Sequence, residues 1–491
     1  MSWKEVAEPV LTRMPVVARP EGHVPFKRKL TWTAGVLVVY FFLTNITLFG
    51  LDAGGSDLFG EFRSILAGGQ GSVLQVGIGP IVTASIVLQL LGGANLLGLD
   101  TSDPRDQILY QGLQKLLVII VTAATAAPMV FGGSYLPANP DVASAVGVGV
   151  GGLQLLIFAQ VFVGGILILF MDEIVSKWGV GSGVGLFIIA GVSQQLIGGM
   201  VSWEALGATG FFASWYGILF GEATLGPTFT AQWFQNLLFD PGDLLALATT
   251  LLIFGVVVYA ESVRVEIPLS HSRVRGARGR FPVKLIYASV LPMILVRALQ
   301  ANIQFAGQII YSQMGDAMPA LLGVYNGDSQ PIDGLFYYLA PIQSRQDWMW
   351  FLGLTPSGVE PWQIGIRVAI DLTFMLIGGA VFAVFWVETT GMGPEATAKQ
   401  IQNSGMQIPG FRRNPQVVEK VMERYIPQVT VIGGALVGLL AVMANMLGTI
   451  GNVSGTGLLL TVSITYKLYE EIAEEQMMEM HPMMRQMFGR E

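Results

Sequence analysis

The sequence predicts an all-α membrane protein with ten transmembrane helices. Hydrophobic residues make up 52% of the chain and charged residues only 12%, whereas a soluble domain needs about a quarter of its residues charged to cover its surface. Many apolar runs are near the length of about 20 residues that crosses the hydrocarbon core of a bilayer. A single bundled membrane domain therefore fits the 491 residues better than a string of soluble domains.

Ten apolar runs define the predicted spans in chain order. The second and the tenth are the weakest because they contain Gly, Thr, Ser and Gln, and helices of that composition face protein or water rather than lipid. The predicted spans are residues 30–51, 74–92, 109–131, 148–170, 181–203, 244–260, 285–305, 364–387, 426–447 and 455–469.

Basic residues predict the orientation of the chain. The two tails and the even-numbered connections carry about 22 Lys and Arg residues, against two, Arg63 and Arg345, in the odd-numbered connections. Lys and Arg are enriched on the cytoplasmic side of membrane proteins. The distribution therefore predicts that both termini are cytoplasmic, and it supports an even number of spans.

Several kinds of chemistry are excluded by composition. The chain has no cysteine, which rules out disulfides, thiolate metal sites and a cysteine nucleophile. Its three histidines, His23, His271 and His481, all lie outside the apolar runs. The chain also has no Gly-Lys pair for a P-loop, and the GVGVGG pattern at 147–152 begins an apolar helix instead of following a strand. We therefore expect no cofactor, no metal and no enzymatic activity.

A short segment between the first two spans, residues 57–66, is bracketed by glycines. Ser56 and Asp57 can cap the start of a helix there, and the segment is too short to span a bilayer. The residues alone leave two interpretations open, an interfacial helix on the outer surface and a mobile re-entrant plug with the flanking glycines as hinges. The apolar side chains that share one helix face are Leu58, Phe59, Phe62, Ile65 and Leu66.

Charged residues leave two further questions open. Within the spans, Arg367 and Asp371 are four residues apart, which predicts a self-contained ion pair on one helix face or a relay in a secondary transporter. The long connections 261–284 and 388–425 carry clusters of Lys and Arg. These residues could anchor the topology on anionic lipid or dock an anionic partner such as ribosomal RNA.

Five segments, in order along nearly the whole chain, resemble the SecY family of protein-translocation channels, in particular its archaeal branch. The net charge of −7 is in keeping with an organism that lives at high salt. The five segments are IGPIVTASIVLQLL from residue 78, DEIVSKWGVGSGVGLFIIAGVSQ from residue 172, ESVRVEIPLSHSRVR from residue 261, WVETTG from residue 386 and GTGLLLTVSI from residue 455.

The resemblance implies two pseudo-symmetric halves of five helices that form a clamshell around an hourglass pore, with residues 57–66 as a re-entrant plug helix. It implies a lateral gate between the second and seventh helices, with polar contacts at Thr83, Thr125 and Asn302. Thr125 stands where the archaeal pattern has an acidic residue. The implied ring of aliphatic side chains at the waist of the pore is Ile78, Val82, Val184, Ile188, Ile294 and Leu460, and the implied ribosome contacts are Arg273, Arg275 and Arg412.

The resemblance also implies how the chain is organised. We expect two halves joined by an outer loop, with a tail at each end and two cytoplasmic loops inside the second half. The expected parts are the cytoplasmic N-terminal tail 1–29, the N-terminal half 30–203, the outer loop 204–243, the C-terminal half 244–469 with the cytoplasmic loops 261–284 and 388–425, and the cytoplasmic C-terminal tail 470–491.

The expected function is that of the central subunit of a channel in the cytoplasmic membrane. This channel would translocate unfolded secretory polypeptides and release transmembrane segments sideways into the bilayer. The implied partners are SecE-type and beta-type small membrane subunits, the ribosome, signal sequences and nascent polypeptides, and membrane lipids. Two alternatives stay open, a secondary transporter that uses Asp371 and Arg367, and a membrane scaffold without a pore.

Overall fold

Ten long α-helices, in the order of the ten predicted spans, form the body of the protein. The architecture comes from a computed structural model, which describes residues 3–480 except 23, 53–61, 94–96, 99–103, 133–134, 204–209, 221–224, 240, 272–277, 287–290, 327–329, 354–357, 404–405 and 408–414. Numbered in chain order, the long helices are α2 Phe26–Asn45, α4 Gly79–Gly93, α5 Pro104–Phe131, α7 Gly149–Trp178, α8 Gly183–Val201, α11 Leu244–Ser262, α12 Leu291–Met314, α14 Pro361–Thr389, α16 Pro415–Leu447 and α17 Gly455–Met480. Shorter helices between them are α1 Trp3–Leu11, α3 Arg63–Leu66, α6 Pro140–Val146, α9 Phe211–Phe220, α10 Ala231–Leu238, α13 Leu335–Tyr338 and α15 Pro394–Asn403.

The long helices differ in how well they suit a lipid environment. Within the described residues, six are long and apolar enough to cross a membrane by length and composition alone, namely α5, α7, α8, α11, α14 and α16. Helix α4 has only 15 residues, and α2, α12 and α17 carry charged or amide side chains along part of their length. Inside a membrane, such polar groups need neighbouring protein or water to cover them.

Several helices end at different residues from the predicted spans. Helix α7 continues to Trp178 and α17 to Met480, well past the predicted ends at 170 and 469. Hydropathy marks only the apolar part of a helix, whereas the helix itself continues into water as an amphipathic or charged extension. Helix α2 is instead shorter than predicted and ends at Asn45, because the backbone becomes extended at Ile46.

The long helices form two packed groups of five. In the first group α2, α4, α5, α7 and α8 pack together, and in the second group α11, α12, α14, α16 and α17 pack together. The groups meet along two seams. Helix α4 packs against α12 and α14 at one seam, while α2 and α8 pack against α17 at the other. This arrangement corresponds to the expected pair of five-helix halves.

Within the described residues, two small antiparallel sheets lie in the connections, and neither was predicted. Strands β1 (Arg264–His271) and β2 (Arg278–Lys284) form a hairpin, and β3 (Val324–Asn326) pairs with β4 (Gln330–Asp333). Strand β5 (Met406–Gln407) adds to β1. Open sheet edges do not occur in lipid, because their backbone groups would lack hydrogen-bond partners there. The five strands satisfy this rule because they all lie in the connections between the long helices.

Ion pairs bring the N-terminal and C-terminal parts of the chain to one face of the helix bundle. Lys29 at the start of α2 bonds to Glu475 near the end of α17. Glu470 of α17 bonds to Lys284 and, at 3.1 Å, to Arg264, at the base of the β1–β2 hairpin. These contacts place both tails and the hairpin on the same face, which is called the terminal face below.

The N-terminal tail is fastened to the same face by two lysines. Lys115 of α5 and Lys177 of α7 both bond to Glu173, at 2.8 and 2.7 Å. Their ammonium groups also donate to the backbone carbonyls of Pro15 and Val17, at 3.0 and 2.6 Å. The tail therefore lies across the ends of α5 and α7.

A glycine sets how closely α7 approaches the turn before α4. A Cβ atom on Gly164 would collide with the carbonyl oxygen of Val73, whereas a Cβ atom on Gly151 of the same helix would meet nothing within 4 Å. Small residues allow this close approach of membrane helices to neighbouring backbone. Gly164 therefore fixes the position of the residues that lead into α4.

We expect Gly164→Ala to destabilise the purified protein by about 1–3 kcal/mol, because the added methyl group overpacks a fixed backbone contact. Thermal unfolding in detergent measures this loss as a lower melting temperature. Gly151→Ala is the matched control and should melt at the wild-type temperature or slightly above it. Equal melting temperatures for the two variants would show that α7 does not depend on this contact.

Candidate functional site

The six aliphatic residues expected at the pore waist belong to one hydrophobic cluster. Five of them are at most 4% exposed, and the sixth, Val184, is partly buried against the cluster. The structure thus brings together side chains from both five-helix groups. The six are Val82 of α4, Val184 and Ile188 of α8, Ile294 of α12, Leu460 of α17, and Ile78 in the turn just before α4.

Side-chain caps fix the starts of two helices that carry residues expected in the ring. At α8, Asp172 accepts a hydrogen bond from the Val184 amide at 2.9 Å. At α17, Asn445 accepts a hydrogen bond from the Thr456 amide at 2.8 Å. The first amides of a helix have no acceptor within the helix, so these bonds determine where each helix begins. They thereby set the positions of Val184 and Leu460 along the helix axes.

The second part of the expected plug is buried between the helices. Phe62, Ile65 and Leu66 are all buried, and helix α3 packs against α8 and α17. Ile65 belongs to the cluster that holds the ring, while Phe62 and Leu66 belong to a second cluster that includes Ala301 of α12. The remaining residues of the expected plug face lie outside the described part of the chain, namely Asp57, Leu58 and Phe59.

The plug segment is held at its C-terminal end beside the ring. The Tyr40 hydroxyl donates to the Ala67 carbonyl at 3.0 Å, and the Tyr40 ring stacks on Phe187 with the centroids 4.9 Å apart. The Ile78 amide donates to the Leu66 carbonyl at 2.8 Å. This last bond joins the end of the plug segment directly to Ile78, one of the residues expected in the ring.

Glycines that follow the plug segment are closely packed in this conformation. A Cβ atom on Gly69 would lie 2.7 Å from the carbonyl oxygen of Thr44, and one on Gly68 would lie 2.9 Å from the carbonyl oxygen of Gln75. Both positions therefore need glycine for close approach of the backbone. The glycines before the plug segment, which were the other expected hinges, lie outside the described residues.

A polar pair bridges the seam between α4 and α12. The Asn302 amide donates to the Thr83 hydroxyl at 3.0 Å. Thr125 does not join this pair, because its hydroxyl donates to the Val121 carbonyl of its own helix at 2.8 Å. Interhelical hydrogen bonds in membrane proteins contribute about 0.6 kcal/mol on average. The polar link across this seam is therefore weak.

A further hydrogen bond between the two helix groups, made by Tyr135, gave no signal in the sequence. Tyr135, in the turn after α5, donates to the Gln308 carbonyl of α12 at 3.3 Å. The same end of α12 carries Tyr311, which stacks on Tyr325 with the centroids 4.4 Å apart. Burial raises the pKa of Tyr325 to about 12, so this phenol stays neutral. The bond from Tyr135 to Gln308 leaves no sequence motif, because its acceptor is a backbone carbonyl, which every residue has.

A buried charged pair joins α12 to α14. Arg297 of α12 and Asp371 of α14 are almost completely buried, with Nη1 and Oδ1 3.4 Å apart. Gln300 accepts from Arg297 at 2.7 Å and donates to Asp371 at 2.9 Å. Arg297 also donates through Nε to the hydroxyl of Thr456 of α17 at 3.3 Å. The pair thus connects three helices.

The expected ion pair between Arg367 and Asp371 is wrong. Arg367 donates to the carbonyls of Ala340 and Pro341, at 3.1 and 2.7 Å, and its charged partner is Asp347 at 3.7 Å. Asp371 faces α12 instead. A spacing of four residues lets two side chains meet on one helix, but it cannot reveal a stronger partner on a neighbouring helix.

The three expected ribosome contacts, Arg273, Arg275 and Arg412, lie outside the described residues. The strands that flank the first two are described, and Glu470 of α17 holds their base at the terminal face.

Two family profiles match this chain. The SecY family profile matches residues 72–469, and a profile for the plug domain of Sec61p matches residues 38–71. The chain belongs to the SecY family. The expected plug at 57–66 lies inside the second of these matches.

Relatives in this family match the chain from end to end. It is 74% identical over 494 residues to the protein translocase subunit SecY of Haloferax volcanii, with 100% of each chain covered. It is 72% identical over 492 residues to the protein translocase subunit SecY of Haloarcula marismortui, again with 100% of each chain covered. Both are haloarchaea, in agreement with the acidic composition.

Solved structures share the fold. One described as the structure of a protein conducting channel is 37% identical, with a TM-score of 0.78, and the match covers 97% of this chain and 98% of that one. Sec61 in a canine ribosome–channel complex is also 37% identical, with a TM-score of 0.76 and the same coverage. The predicted fold, ten transmembrane helices in two five-helix halves with a plug, is confirmed.

The polar pair at the α4–α12 seam should be detectable as an energetic coupling. In a double-mutant cycle of thermal unfolding, Thr83→Val and Asn302→Leu should couple by about 0.6 kcal/mol, because each removes the same bond. Thr125→Val is the matched control and should not couple to Asn302→Leu. An equal coupling for both threonines would mean that the bond does not link the two helices.

Proposed function

We propose that this chain is the pore-forming subunit of a protein-conducting channel. The channel translocates unfolded secretory polypeptides across the cytoplasmic membrane and releases transmembrane segments sideways into the bilayer. The observation that carries the proposal is the convergence of six aliphatic side chains from both helix groups, beside the plug segment, in a member of the SecY family.

The six residues form the seal of the pore in this proposal. A narrow apolar constriction excludes ions because water leaves it. Branched aliphatic side chains form no hydrogen bonds with a passing chain, so polypeptides of any sequence can slide between them. The near-complete burial of five of the six residues supports a closed waist. The ring is Ile78, Val82, Val184, Ile188, Ile294 and Leu460.

The plug at 57–66 blocks the channel at rest, and the α4–α12 seam opens sideways. The burial of Phe62, Ile65 and Leu66 supports the first part of this proposal. Opening the seam separates Thr83 from Asn302, and a weak polar bond suits this step because an apolar signal helix can displace it.

We infer that the terminal face is cytoplasmic, because the distribution of basic residues favours that orientation. The N-terminal half at 30–203 and the C-terminal half at 244–469 then move against each other, with the connection 204–243 on the outer side.

The driving force for translocation comes from the translating ribosome or another external source. The chain itself performs no covalent chemistry.

Ribosome, lipid and small-subunit contacts complete the proposed assembly. Arg273, Arg275 and Arg412 neutralise phosphates of ribosomal RNA, and the ribosome-bound state of the matching Sec61 structure supports this role. A SecE-type and a beta-type small membrane subunit bind the outside of the bundle. Nascent polypeptides enter the pore, and signal sequences enter the α4–α12 seam. The open seam exposes them to membrane lipids.

The transporter hypothesis loses its main support in the structure. It needed Asp371 and Arg367 to act as a relay pair, but Arg367 faces other partners. The carboxylate of Asp371 accepts from Arg297, from Gln300 and, at 3.2 Å, from the Ile342 amide. A carboxylate held by three donors in a buried network is poorly placed to load and release an ion.

Photocrosslinking at Ile294 tests the proposed pore. A photoreactive amino acid at this position, in the reconstituted complex engaged by a ribosome-stalled secretory chain, should form adducts with the nascent chain because Ile294 lines the waist. The adducts should disappear when the signal sequence is deleted. Gel electrophoresis of the labelled nascent chain measures the yield.

Ile377 provides the matched control for this experiment. It is also an isoleucine of the C-terminal half, but it is 60% exposed on α14 and should form no signal-dependent adducts. If the ribosome binds and no adduct forms at Ile294 or at Val82, the pore assignment fails, and a pore-free scaffold becomes the better interpretation.

A further inference from the structure

The proposed seal, plug and gate do not involve the buried pair of Arg297 and Asp371. Charged side chains inside a membrane protein are unfavourable and persist where they have a function. Replacing a buried ion pair by apolar residues is often neutral for stability, so stability alone is a weak explanation for the pair. Its position in the fold offers a stronger one.

Arg297 links the two ring-bearing helices of the C-terminal half. On α12 it lies three residues after Ile294 and five residues before Asn302. Its partner Thr456 on α17 lies four residues before Leu460. Residues three or four apart lie on the same face of a helix. The bond from Arg297 to Thr456 therefore joins α12 and α17 about one turn from the ring residue of each.

All described contacts of this network stay within the C-terminal half. Asp371 holds the guanidinium against α14. Asn445 of α16 accepts from both the amide and the hydroxyl of Thr456, at 2.8 and 3.3 Å. Helices α12, α14, α16 and α17 are thus joined by one set of directed bonds. The polar bond across the α4–α12 seam is separate from this network and is made by Asn302.

We propose that Arg297 is a positioning residue of the gate. It locks α12 to α14 and α17, so that Ile294 and Leu460 move as one body and separation occurs at the α4–α12 seam rather than inside the C-terminal half. The guanidinium suits this role because its planar fork directs several bonds at fixed angles. Apolar contacts alone would let the helices slide, which would shift one ring residue relative to the other. The inference rests on the proposed channel function.

The test separates positioning from stability. The complex with its small subunits is reconstituted in planar bilayers, and the conductance of the idle channel is measured beside the melting temperature. Asp371→Asn, which leaves Arg297 without its counter-charge, should melt earlier and raise the idle conductance about tenfold by populating an open state. Arg297→Met with Asp371→Leu removes both charges and should regain the wild-type melting temperature but stay leaky. A double variant that is stable and sealed would overturn the proposal.

A second, milder variant keeps the test decisive if the charge variants fail to fold. Thr456→Val removes the hydroxyl that accepts from Arg297 and donates to Asn445, while the ion pair and the bond from the Thr456 amide to Asn445 stay intact. It should raise the idle conductance severalfold at an unchanged melting temperature. Thr373→Val is the matched control, because the Thr373 hydroxyl is exposed on α14 and bonds to the Ala369 carbonyl of its own helix. Equal conductance for the two threonine variants would overturn the proposal.

The wild-type complex distinguishes failure of this inference from failure of the channel function. It should be sealed when idle and should translocate a secretory chain that carries a signal sequence, and deletion of residues 57–66 should make it leaky. If the wild type does not translocate, the proposed function and this inference both fail. If the wild type translocates while the Arg297 and Thr456 variants stay sealed, only the positioning role fails.

Discussion

In the proposed channel, closure of the apolar waist is the constraint on which the rest of the structure depends. Side chains from two five-helix groups must meet closely enough to exclude water, and a polypeptide must still be able to part them. Contacts between branched aliphatic side chains meet both demands, because each is weak and without direction while their sum is large. The capped starts of α8 and α17, the buried plug segment and the two seams all act by fixing where these side chains meet.

The two seams differ in chemistry, and this difference indicates where the clamshell opens. Where α8 meets the turn before α17, backbones touch, since a Cβ atom on Gly199 would collide with the Cα atom of Gly451. Where α4 meets α12, side chains meet and one polar bond joins Thr83 to Asn302. Parting backbones that pack this closely loses far more contact than parting side chains. These contacts favour the α4–α12 seam as the gate of the proposed channel.

The sequence predicts some of these features well and others not at all, for physical reasons. The ten helices were predictable because apolar length is local, but the ends of α7 and α17 were not, because charged turns continue a helix without a hydropathy signal. The ring could not be selected by composition, since aliphatic residues fill every span, and only the family resemblance picked out Ile294 and its partners. Arg367 and Asp371 were paired wrongly because the competing partner lies on another helix, and the Tyr135 bond left no motif because its acceptor is a backbone carbonyl.

In the proposed channel, translocation requires α4 and α12 to separate. Because the chain contains no cysteine, Thr83→Cys combined with Asn302→Cys places a single thiol pair across the gate. Oxidation of this pair in the reconstituted complex should stop translocation of a signal-bearing chain, and reduction should restore translocation. The single variant Thr83→Cys is the control, and the oxidant should not change its translocation. Undiminished translocation through complexes that are fully crosslinked at this pair would contradict the account.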